Sequence, residues 1–153
     1  MIRIALILAA CAALGGCDAL RLVAPYESDT MRNTERVWLG MHAIDTAQTV
    51  TIARSPMCLR EANPAAAWLY GSDHPDAGRV IATNVILGYA HYRIGGWIDK
   101  RTEQAGSDPD DDSYSGWYLF RAAWHGFALL GTGYAVLHNA QARVGPFSEV
   151  HCK

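Results

Sequence analysis

Apolar and polar positions along the chain fall into blocks. Residues 4–14 form an uncharged apolar run directly after Arg3. Three longer blocks follow: 37–53, interrupted only by Asp45; 80–98, interrupted by Arg93; and 122–142, free of charge throughout. Their lengths, with few Pro and no strict alternation, predict helices over about 34–53, 74–97 and 115–142. His74-Pro75-Asp76 suits a helix start, with Pro in the first turn and an acid beside it, and Gly145-Pro146 a stop. Between the first two helices, Glu61-Ala62-Asn63-Pro64 reads as a turn. The following Ala65–Tyr70 segment can form a short helix with Trp68 and Tyr70 at an interface.

Each predicted helix carries one polar or small stripe. Spacings of three and four align His42, Asp45 and Thr49 on the first, with Gln48 at the edge. They align Asn84, Gly88, His91 and Gly95 on the second, and Arg121, His125, Thr132 and Asn139 on the third. The remaining faces are apolar and carry few charges, unlike the outward face of a helix in water. Glycines 88, 95, 96, 126, 131 and 133 each cost about 1 kcal/mol in an exposed helix, whereas membrane helices use small residues for close approach. The uncharged lengths meet or nearly meet the roughly 17–25 residues of a span. The pattern therefore predicts an all-α, three-helix bundle embedded in the membrane, polar stripes inward. Its parts are a leader over 1–16, a tether over 17–33, the helical domain over 34–143 and a tail over 144–153. A helical module outside the bilayer is the competing reading.

The leader sharpens the address. Met1-Ile2-Arg3 is a short basic segment, and the apolar run behind it is too short to span. It closes on Leu14-Gly15-Gly16-Cys17, which resembles the lipobox of bacterial lipoprotein signal peptides. That resemblance implies cleavage before Cys17 and acylation of its thiol. A second such match, Leu8-Ala9-Ala10-Cys11, would leave a much shorter apolar run. Asp18 resembles the residue that retains enteric lipoproteins at the inner membrane, so the implied location is the cell envelope, with the inner membrane favoured over the outer. Lipid adds about 0.8 kcal/mol per buried methylene.

A looser resemblance covers about Arg36 to Asn139. Trp38, His42, Asp45, Gln48-Thr49, Glu61-Ala62-Asn63-Pro64 and Gly78-Arg79-Val80 are similar to the recurring pattern of a group of small bacterial and prophage-type membrane proteins. It implies architecture and brings no activity.

Composition narrows function mainly by exclusion. Thirteen Lys and Arg against 15 Asp and Glu leave a net charge of −2, so no nucleic-acid footprint is present. No His-Glu-x-x-His, Gly-x-Ser-x-Gly or P-loop occurs. The run Ser107-Asp108-Pro109-Asp110-Asp111-Asp112-Ser113 lacks the Gly and terminal Glu of a calcium loop and reads as a solvated linker. Half the residues are apolar, and the five Trp and seven Tyr suit a membrane surface. The partners expected are therefore the bilayer and another envelope protein.

One constellation stands out. If the helices cross the bilayer alternately, His42 and His91 lie within ~2 Å in height, with His125 on the same side of the midplane and Asp45 near the centre. Imidazoles with a carboxylate suit a transition metal, and facing His can ligate haem. A satisfied polar network of these residues with Gln48, Thr49, Asn84, Thr132 and Asn139 is the favoured reading, with the metal or haem site as its alternative. His74 and His151 read as turn and tail residues, and His138 faces away. Cys58 and Cys152 can pair in an oxidising compartment, closing a loop worth about 4–5 kcal/mol, or stand as unrelated thiols. Three true crossings from an external Cys17 would put both inside, where thiols stay reduced. The leading expectation is a lipid-anchored envelope protein of structural or binding type without a catalytic signature. The alternatives are a metal or haem protein using His42, Asp45, His91 and His125, and a helical module on a lipid tether.

Overall fold

The computed structural model describes residues 26–107 and 113–146, and all its regular structure is helical. Helix α1 spans Asp29–Ala53, α2 Pro64–Tyr70, α3 Ala77–Gly106 and α4 Tyr114–Gln141. The leader with Cys17, the acidic positions 108–112, and His151 and Cys152 lie outside the described residues.

Local chemistry sets the helix ends. Ser28 caps α1: its Oγ accepts from Met31 N at 3.4 Å, and Asp29 adds an acid to the first turn. Residues 29–33, expected in the tether, are therefore the opening turn of α1. Asn63 caps α2 by accepting from Ala65 N and Ala66 N, Pro64 follows, and Gly71 closes the helix at φ 72°. That left-handed backbone suits a residue without Cβ. Asp76 caps α3, its Oδ1 accepting from Gly78 N at 2.8 Å and Arg79 N at 3.1 Å. His74 and Pro75 thus precede the helix instead of opening it. At its other end α3 continues nine residues past Trp97, because Ile98, Asp99, Thr102 and Ala105 prolong its buried stripe.

The chain divides into two compact units, and the divisions fall inside the long helices. The first joins residues up to Gly40 with Tyr89–Gly131, and the second joins Met41–Gly88 with Thr132–Lys153. In the first, the opening half of α1, the closing half of α3 and the opening half of α4 bury Tyr26, Trp38, Ile98 and Ala105. Glu35, Asp99, Thr102, Arg121 and His125 are buried with them. In the second, Val50, Tyr70 and Val80 form an apolar centre, packed by Ala53, Ala66, Ala77 and Ile81. The all-α architecture is as the pattern predicts. Embedding in a bilayer finds no support: no helix among the described residues is long and apolar enough to cross a membrane. The long helices have the length, but glycines, Thr, Asn, His and inward charges dilute their apolar character.

Candidate functional site

The densest polar chemistry lies in the first unit and is centred on Glu35, a carboxylate only 1% exposed. Glu35 and Trp38, three apart on α1, project from one face. His91 and Gly95 do the same on α3, and Arg121, Trp124 and His125 on α4. His91 Nδ1 donates to Glu35 Oε1 at 3.1 Å, which in the neutral ring leaves Nε2 carrying the lone pair. His125 Nδ1 stands 3.6 Å from Glu35 Oε2, beyond hydrogen-bond reach. The His91 imidazole is held between two indoles, with Trp38 stacked at 3.8 Å and Trp124 at 4.9 Å between ring centroids. Tyr26 closes the group, its ring 6.0 Å from that of His125. Its hydroxyl lies over Gly95, where a Cβ would collide with it and stand 3.3 Å from both His125 Cε1 and Trp124 Nε1. Glycine at 95 is thus a steric requirement of the cluster.

Burial dominates the electrostatics here. It pushes the Tyr26 hydroxyl up, assisted by the neighbouring Glu35 charge. It lowers His125, outweighing the opposing attraction of Glu35, so this ring stays neutral. His91 Nε2, Trp124 Nε1 and both nitrogens of His125 are buried with no hydrogen-bond partner among the described residues.

A second charged group adjoins this box. Arg121 donates to Asp99 Oδ1 at 2.9 Å and to Glu103 Oε1 at 2.6 Å. Asp99, fully buried, also accepts from Ser28 N at 3.0 Å and so ties the cap of α1 to α3 and α4. Burial works against the Arg121 charge, but its hydrogen bonds to Glu103 and Asp99 outweigh it and raise its pKa.

The second unit holds the other residues expected from sequence. His42 Nε2 donates to Asn84 O at 3.0 Å, and Gly88 permits that approach, since a Cβ there would lie 3.3 Å from His42 Cδ2. Asn84 Nδ2 donates to the Tyr70 hydroxyl at 2.8 Å and to Val80 O at 2.9 Å, and Thr49 is buried in the same unit. Asn139 Nδ2 donates to Asp45 Oδ1 at 3.4 Å. Burial, then the Glu61 charge, pushes Asp45 up to about 6. Gln48 Nε2 holds the chain after α4 by donating to Val144 O at 3.0 Å, and Thr132 lies half-buried in this unit. Cys58 is disulfide-bonded, and its partner lies outside the described residues.

Of the four residues read as one cluster, His91 and His125 come together in the first unit, while His42 and Asp45 take separate partners in the second. Among the described residues no group of three His, Cys, Asp or Glu side chains is placed to hold a metal ion. Of the residues read as a polar network, Gln48, Asn84 and Asn139 make the hydrogen bonds described above, Thr49 and Thr132 lie in the same unit, and Glu35, Asp99, Trp124 and Tyr26 are not among them. Glu35 lies seven residues before His42, and Asp99 four after Gly95. Extending the first stripe by two turns and the second by one reaches them. Comparison with protein-family models, curated proteins and solved structures finds no match to this chain.

Proposed function

We propose that this chain is a lipid-anchored envelope protein of structural or binding type. In this reading Cys17 carries the lipid, and the helical body stands outside the cytoplasm on a short tether. The observation that carries it is the disulfide at Cys58 in a chain headed by a lipobox-like leader. Such bonds persist in oxidising compartments. Three crossings from an external Cys17 would instead place the 55–73 segment in a reducing one. Cys152 is the proposed partner of Cys58, and Asp18 favours the inner membrane. The bilayer and another envelope protein remain the proposed partners.

The buried groups serve the fold in this reading. His91 holds Glu35, Arg121 holds Asp99, and Gln48 donates to the backbone after α4, which fixes helix register and leaves the outer faces for contacts. Replacing Cys17 with Ser tests the reading. The expected result is loss of incorporated fatty acid and release of a folded protein from washed membranes. Retention of the unlipidated protein on membranes would refute the tether.

The buried, unpartnered nitrogens of His91 and His125 favour a second reading, in which a metal ion or haem is held by these rings beside Glu35. Metal and pigment analysis of purified protein tests it. Stoichiometric metal or haem, lost in His91→Ala and His125→Ala, supports this reading. A metal-free, colourless, folded preparation dismisses it.

A further inference from the structure

The outer face of α4 has no counterpart among the described residues. The helix carries a single Asp, Glu, Lys or Arg, Arg121, and turns it inward onto Asp99 and Glu103. Outward it presents Phe120, Ala123, Phe127, Leu130, Tyr134 and Leu137, all exposed, with Phe127 at 77% and Leu130 at 73%. Their spacing alternates three and four, the seam by which two helices interlock side chains. Gly126 and Gly131 flank that seam. A Cβ added at either would meet no atom within 4 Å beyond the helix's own backbone and chain neighbours. Neither glycine is therefore needed for packing among the described residues, although each weakens the helix relative to alanine. Close approach of another helix gives them a purpose.

We infer that this face of α4 pairs with the same face of a second copy of the chain. The exposed parts of the seam residues and Leu119 amount to on the order of 800 Å². That matches the roughly 800 Å² each partner contributes to a stable interface. A twofold pairing brings like against like, which an uncharged seam tolerates without repulsion. A bilayer surface fits less well, because helices lying on lipid carry Lys and Arg beside the apolar face and α4 exposes none. The pairing is independent of how the chain is anchored.

Disulfide trapping in intact cells tests it, with the parent chain as background. Leu130→Cys and, separately, Phe127→Cys should each give a covalent dimer on mild oxidation. Lys100→Cys, exposed on α3, should not. Adding Gly126→Leu to Leu130→Cys should reduce the trapped fraction at least tenfold, because the new side chain occupies the approach path from a position where an added Cβ meets no described atom. The inference is overturned if both trapping variants accumulate but stay monomeric. Reaction of their thiols with a lipid-soluble maleimide would then assign the face to the bilayer, and reaction with a water-soluble one would leave it uncovered.

Discussion

Replacing Asp45 with Asn isolates the cost of a buried carboxylate. The shift from 3.8 to about 6 comes first from burial and then from Glu61. Each pKa unit is worth about 1.4 kcal/mol, so ionising Asp45 in the folded chain costs about 2–3 kcal/mol more than in the unfolded chain. The sign follows from proton counting. Between pH 4 and 6 the folded state keeps a proton that the unfolded state has released, so stability falls as pH rises through this window and stays lower above it. Asn at 45 keeps an oxygen acceptor for the Asn139 amide and carries no charge. Urea unfolding of both proteins should therefore show the variant more stable by about 2–3 kcal/mol at pH 7.5. The gap should close toward pH 3.5, with the slope against urea unchanged. His125 acts in the opposite sense, since its neutral folded form adds stability as pH rises toward 6.5. It is present in both proteins and cancels in the difference. A gap independent of pH, or a variant less stable at pH 7.5, refutes the argument.

Other substitutions probe the first unit and the disulfide. Arg121→Met strands the fully buried Asp99 and should cost about 3–5 kcal/mol in urea unfolding. Adding Asp99→Leu should recover part of that loss, although Ser28 N then loses its acceptor. Gly95→Ala drives a methyl group into the Tyr26 hydroxyl and should lower stability by about 1–3 kcal/mol. It should also raise near-ultraviolet signs of mobility in Trp124. Cys58 should resist thiol reagents in the denatured chain until a reductant is added, and Cys58→Ser should lower stability by about 2–4 kcal/mol.

Much of the local structure is legible in the sequence because its causes are local. Asn63-Pro64 and Gly71 bound α2, and Asp76 caps α3, because capping groups act on amides two or three residues away. The stripes of His42 with Asp45 and of His91 with Gly95 follow from helical periodicity alone. Periodicity says which residues share a face, but not which faces meet. Tertiary packing decided that His42 and Asp45 pair with Asn84 and Asn139, while His91 and His125 gather on Glu35 between two indoles. It also drew Asp99, beyond the apolar run, inside to meet Arg121, because a buried charge needs a partner that the local sequence does not contain.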